Sequence, residues 1–350
     1  MNVLMVGVGK NRAGGMWTVS EIYIKNKEFN DAVNLRYVAT STCGSKLRRV
    51  LAMIRGYILI FFYLITGNID IVHIHMAEKG STFRKGIVVK ISKAFGKKVL
   101  VQLHAGLFMD WYDSLSKWKQ NVVNEFFVKT DCLLVLGEYW KERLKALIPE
   151  DKIKVLYNGS FCPETNPYNA DAQYILYLGM LKKSKGIYDL LDGVAIADNS
   201  LPDDVRILLC GIDEEGSIQK EIDKRNLNKR VSMLGWINKQ KKIKLFQNAQ
   251  MSVLPSYFEA LSMTVIESMC YGIPVLTTDI STMPELLGDD IDRFKPGDIS
   301  RLSELLVRWS NDKSLRSEIS AKEYQRAVRM FSERQNIANT LNIYNALLET

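Results

Sequence analysis

Short apolar runs alternate along the chain with longer segments whose apolar residues recur at helical spacing. The clearest runs are Val3–Val8, Leu35–Ala39, Ile69–Ile74, Lys98–Leu103, Cys132–Leu136 and Lys154–Leu156. A second series follows at Tyr174–Leu178, Val205–Cys210, Val231–Leu234, Met251–Leu254 and Pro274–Thr277. Most are apolar throughout rather than alternating, as parallel strands are when both faces are covered. The pattern predicts an open α/β sheet built twice. Between the two series, Asn158–Ala172 is rich in Asn, Pro and small polar residues and poor in long apolar ones, as a linker is. The expected organisation is a first domain over residues 1–160, a linker over 161–172, a second domain over 173–331 and a C-terminal helix over 332–350. In that last segment Ile337, Leu341, Tyr344, Leu347 and Leu348 recur at helical spacing, and the helix is expected to return to the first domain.

The length of 350 residues suits two domains, each large enough for its own core. The start, MNVLMVGVGK, lacks a basic leader and a cleavage site and reads as a first buried strand. Five scattered cysteines without a CxxC spacing argue against a disulfide framework or a zinc site and for a reducing cytoplasm. Charge is uneven. Residues 1–160 carry 24 Lys/Arg against 13 Asp/Glu, and the remainder 23 against 26. A basic first half points to an anionic partner: a phospholipid surface, a lipid pyrophosphate or a nucleic acid. The longest apolar run, Tyr57–Thr66, is too short to span a bilayer, which takes about 20 residues. It reads first as a core helix. Its rival reading is a helix lying against a membrane, with Arg48, Arg49 and Arg55 upstream to meet anionic lipid.

The chemistry is expected in loops that follow strands, since open parallel sheets bind ligands at their carboxyl ends. Leu254–Leu287 is the most informative stretch. A strand ends at Leu254, a loop carries Glu259, a helix contains Glu267, and Gly272-Ile273-Pro274 leads into the next strand. The spacing puts one carboxylate at a helix mouth and the other about two turns deeper. Backbone N–H groups of Ala260, Leu261, Ser262 and Met263 are expected as the free donors of that helix N-terminus, suited to a phosphate. Gly179–Gly186 (GMLKKSKG) follows the first strand of the second series. Val6–Gly15 (VGVGKNRAGG) follows the first strand of the chain, where glycines let a backbone approach a ligand closely.

The Leu254–Leu287 stretch resembles the signature of the retaining glycosyltransferases of family 4 (glycosyl transferases group 1), which have the GT-B fold of two Rossmann-like doubly wound domains facing across a cleft. The resemblance rests on Pro255, Ser256, Glu259, Glu267, Gly272, Pro274 and Val275. It implies that Glu259 binds donor-sugar hydroxyls and Glu267 the ribose, and that Lys185 neutralises the diphosphate. Met180 stands where the family usually has Arg, and Ala260-Leu261-Ser262 replace its Gly-Phe-Gly. Lys182 and Lys183 are nearby cations, and what replaces the Arg is left open by the sequence. The resemblance further assigns Gly14 and Gly15 to the loop that approaches sugar and diphosphate. It places His104 toward the donor sugar, and the backbone around Gly211, Gly235 and Trp236 toward the base. His73 and His75 read as strand-edge packing, because an HxH without a third ligand is a weak metal signal.

The implied function is transfer of a hexosyl unit from a nucleoside diphosphate sugar, a UDP-sugar foremost, to a glycan or polyprenyl-diphosphate-linked acceptor in lipopolysaccharide or capsule synthesis. No cofactor or metal site is expected. The rivals are a nucleotide-sugar 2-epimerase of the same fold and a basic nucleic-acid-binding protein. The second needs a Lys/Arg stripe with stacking aromatics, which the sequence lacks. The expected location is the cytoplasm, with peripheral contact to the inner face of the membrane through the first domain.

Overall fold

A computed structural model describes residues 1–10 and 15–349, so Gly14 lies outside the described residues. The chain divides into two compact units, one of residues 1–159 with 333–350, the other of 160–332. Each holds one parallel sheet with helices packed on it.

In unit 1 the strands are β1 (Asn2–Gly7), β2 (Asn34–Ala39), β3 (Ile71–Met76), β4 (Lys98–Leu103), β5 (Cys132–Val135) and β6 (Ile153–Val155). Their order is β2-β1-β3-β4-β5-β6, so the connectivity reverses direction between β1 and β3. β3 is buried at all six positions. It lies inside the sheet between β1 and β4, so His73 and His75 are interior residues rather than edge ones. The C-terminal helix Glu333–Glu349 caps them: the Tyr344 hydroxyl lies 2.6 Å from His73 Nδ1, and Thr340 bonds Tyr23 at 3.1 Å.

In unit 2 the strands are β7 (Tyr174–Leu178), β8 (Arg206–Cys210), β9 (Val231–Met233), β10 (Ala249–Leu254) and β11 (Val275–Thr277). Their order is β11-β10-β7-β8-β9, which puts the topological switch between β7 and β10. The stretch 161–172, expected as a linker, is instead folded onto this unit. The buried Arg316 guanidinium donates to Ala170 O and the Tyr168 hydroxyl, Tyr168 donates to Gln250 O at 3.0 Å, and Asn166 bonds Ser320 at 3.0 Å. Its polar composition, read as a loose linker, is what makes these bonds.

One expectation fails outright. The apolar run Tyr57–Thr66 belongs to a longer helix, Lys46–Thr66, which is not a core helix. Gly56, Ile60 and Leu64 are its only buried residues, while Ile58, Phe61, Phe62 and Ile65 are exposed.

Candidate active site

The carboxyl ends of β7 and β10 flank the switch point of unit 2, and Lys185 and Glu259 come from the loops that leave those two strands. Lys185 Nζ donates to Glu259 Oε1 at 2.6 Å and to Phe258 O at 3.4 Å. Both side chains are largely covered, at 24% and 11% exposure. Two local devices hold the lysine loop. The Tyr177 hydroxyl donates to the carbonyls of Met180 (2.8 Å) and Lys185 (3.3 Å). Gly186 adopts a left-handed φ of 70°, and a Cβ there would lie 1.8 Å from Pro255 O. Only glycine lets the two loops close on each other. Burial, then the Glu259 charge, pushes the Tyr177 hydroxyl pKa up, so that group stays a neutral donor.

The glutamate loop is held by hydroxyls from the last residue of β11 and the segment after it. Thr277 donates to Leu254 O (2.7 Å), Thr278 to Ser256 O (2.6 Å), Ser281 to Glu259 O (2.8 Å) and Thr282 to Ala260 O (3.2 Å). This ladder fixes the Glu259 backbone while its carboxylate is turned toward Lys185.

The motif helix runs Met263–Cys270, with Ser262 as N-cap accepting from Val265 N–H at 3.4 Å. Ala260 and Leu261 therefore precede the helix, and the amides at its mouth are those of Met263 and Thr264, which have no acceptor within the helix. Of the expected donors, Ser262 and Met263 stand at the helix N-terminus, and Ala260 and Leu261 lie before it. Glu267 sits in the middle of the helix and pairs with Lys242 Nζ at 2.6 Å. Lys242 lies on helix Lys239–Phe246, whose KQKKIK sequence reads as an ordinary solvated face. It is a site residue that the sequence did not disclose.

The other strand ends complete the rim. Gly211, after β8, packs so closely that a Cβ would lie 1.7 Å from Gly179 O, and its N–H donates to Gly235 O at 3.0 Å. Trp236, after β9, is 65% exposed and offers a free ring face at this edge. Met180 is half-buried, whereas Lys182 and Lys183 are exposed.

The remaining candidates lie in unit 1. Gly15 opens helix Gly15–Lys25. His104, just after β4, is engaged: its Nε2 shares a 2.9 Å hydrogen bond with His75 Nδ1, and His75 in turn stacks on His73 with ring centroids 4.6 Å apart. Burial pushes the pKa of His104 down to about 3 and is also the main cause of the same displacement at His73. His104 is therefore neutral near pH 7, with Nδ1 as its remaining polar atom. Lys85, also undisclosed by the sequence, is fully buried and donates to Gly7 O at 3.0 Å, at the end of β1.

Residues 160–326 match the family described as glycosyl transferases group 1. The match covers a little under half of the chain and falls on unit 2, which holds Lys185, Glu259 and Glu267 and is similar to that family. A 41.2 kDa protein of the Klebsiella pneumoniae cps region is 26% identical, with 83% of this chain and 84% of that protein aligned. The GDP-mannose:cellobiosyl-diphosphopolyprenol alpha-mannosyltransferase of Xanthomonas campestris is 24% identical, over 60% of this chain and 56% of the relative. Among solved structures, the Anabaena Alr3699/HepE complex with UDP superposes with a TM-score of 0.76 at 15% identity, over 99% of this chain and 100% of that one. At that identity the likeness shows the fold, which is GT-B.

Proposed function

We propose that this protein is a group 1 glycosyltransferase that moves a hexosyl unit, with retention of anomeric configuration, from a nucleoside diphosphate sugar to a glycan carried on a polyprenyl diphosphate, in the assembly of a surface polysaccharide. The observation that carries the reading is the Lys185–Glu259 pair, 2.6 Å apart at the switch point of unit 2. The chemical problem is departure of a diphosphate from a cationic sugar centre. Lys185 and the mouth amides of Met263 and Thr264 offset the charge that develops on the diphosphate. Glu259 takes the sugar hydroxyls. Glu267, oriented by Lys242, takes the ribose, and Trp236 flanks the base. As the bond from the anomeric carbon to the phosphate oxygen breaks, the acceptor oxygen bonds to that carbon on the same face and its proton passes to a diphosphate oxygen.

The relatives support the acceptor class: one is named for a diphosphopolyprenol-linked acceptor, and a Staphylococcus aureus relative for capsular polysaccharide biosynthesis. The neighbour bound to UDP supports UDP-sugars as the first donors to try, and the Xanthomonas relative adds GDP-mannose. The test is a panel of UDP-, GDP- and ADP-sugars, scored for release of nucleoside diphosphate with and without polyprenyl-diphosphate acceptors. Acceptor-dependent release from one donor supports the reading. Salt-sensitive oligonucleotide binding with no turnover of any donor overturns it.

A further inference from the structure

Helix Lys46–Thr66 carries a stripe of apolar side chains that faces away from the unit to which the helix belongs. Eight large apolar residues on this single helix are between 46% and 69% exposed. Leu47, Val50, Ile54, Ile58, Phe61 and Ile65 mark its course. At about 100° per residue all eight fall within an arc of about 120°, along about 27 Å of helix. Folding leaves this surface uncovered, although apolar patches of such extent usually have a partner.

The opposite side of the helix is fastened down. A Cβ at Gly56 would lie 2.9 Å from Ala39 O, at the end of β2. Ile60 and Leu64 are buried, and the Tyr57 hydroxyl donates at 3.1 Å to Arg84 O on the next helix, Gly80–Ala94. The helix is 21 residues long and apolar enough to cross a bilayer by composition. Crossing would strip these contacts and remove the connection between β2 and β3. It is therefore held parallel to whatever covers it.

Charge selects the cover. Lys46, Arg48, Arg49 and Arg55 are all exposed, and no Asp or Glu occurs between Asp31 and Asp70. A second copy docked through the same face would bring like charges together, whereas an anionic lipid surface neutralises them. We propose that helix Lys46–Thr66 is a monotopic membrane anchor, its apolar stripe sunk in the acyl boundary of an anionic leaflet and its arginines at the headgroups. The proposal stands apart from the donor chemistry of unit 2.

The experiment is flotation of the full chain with phosphatidylcholine vesicles, with or without phosphatidylglycerol, at low and high salt. Wild type floats with the anionic vesicles, and less at high salt. Replacing Arg48, Arg49 and Arg55 by Gln weakens anionic binding roughly fivefold per arginine. Ile58→Glu with Phe62→Glu abolishes flotation at every salt, with the far-UV spectrum and donor turnover on a soluble acceptor unchanged. Wild type that fails to float at low salt overturns the proposal. So does a wild-type dimer that Phe62→Glu converts to monomer without any effect of vesicles. Loss of donor turnover with flotation intact would instead strike the reading of unit 2.

Discussion

Lys185→Ala removes the one cation within hydrogen-bonding reach of Glu259 among the described contacts of that carboxylate. Two costs follow. The first is structural. Glu259 is 11% exposed, so it loses its partner in a place that water reaches poorly. Discounted for the 24% exposure of the lysine, the cost is about 1–3 kcal/mol, a few degrees in the melting temperature. The second is catalytic. Loss of one preorganised positive group facing a developing anion costs on the order of 2–4 kcal/mol, a fall in kcat/KM of roughly thirtyfold to a thousandfold. A double-mutant cycle separates the diphosphate role from mere support of Glu259. Glu259→Ala alone lowers turnover at least about tenfold with the fold intact, and leaves the Kd for free UDP unchanged, because UDP carries no sugar. Lys185→Ala weakens UDP binding, and still lowers kcat/KM when added to Glu259→Ala. The assays are steady-state kinetics with the donor from the panel and calorimetric titration with UDP. Lys185→Ala that binds UDP and turns over donor like wild type refutes the diphosphate assignment. A lysine effect that vanishes in the Glu259→Ala background reduces Lys185 to a prop for the glutamate.

Glu267→Ala weakens nucleotide and nucleoside binding alike, and Lys242→Ala does so more mildly by releasing the 2.6 Å pair; equal titrations with wild type would contradict the ribose role. Gly186→Ala forces a side chain into a φ of 70° with its Cβ 1.8 Å from Pro255 O. It costs about 3 kcal/mol or more by chemical denaturation, and turnover falls with it. Met180→Arg restores a cation beside Lys185 and raises donor affinity, read as a lower KM. The histidines make stability depend on pH. His73 and His75 are fully buried, and desolvation first, then the neighbouring imidazoles (with Lys85 last at His75), holds both below the ordinary 6.5, with His73 down to about 3. The unfolded chain therefore binds protons that the folded one refuses, so this contribution is present above pH 6.5 and is lost as pH falls from there toward 3. Between pH 7.5 and pH 5.5 the loss from His73 is on the order of 1 kcal/mol, and His75 adds to it in the same direction. Urea unfolding across that range measures it, and a His73→Phe variant flattens the slope.

The sheets were legible because buried parallel strands are apolar throughout. Each of the runs read from the pattern, from Val3–Val8 to Pro274–Thr277, lies within two residues of an observed strand. Glu259, Glu267 and Lys185 were legible because the motif sits in loops and a helix local in sequence. Lys242 was not, because 25 residues separate it from Glu267 and only the packing of helix Lys239–Phe246 beside the motif helix brings them together. Lys85 was hidden by the general rule that lysines are solvated. His73 and His75 were placed at an edge because composition does not reveal strand order. Helix Lys46–Thr66 misled in a more instructive way. Apolar residues occupy both of its faces, Ile60 and Leu64 inward and Ile58 and Ile65 outward, and periodicity alone does not say which face the protein covers.

The central claim is tested most directly by following the sugar. Purified enzyme is incubated with sugar-labelled donor and a polyprenyl-diphosphate-linked acceptor, and the organic phase, the released nucleotide and the anomeric configuration of the product are measured together. The account predicts that label enters the lipid phase in step with release of nucleoside diphosphate, in the α configuration when the donor is α-linked, and that Glu259→Ala suppresses both. Released nucleotide accompanied by a C2-epimerised free sugar, or a product of inverted configuration, would contradict it.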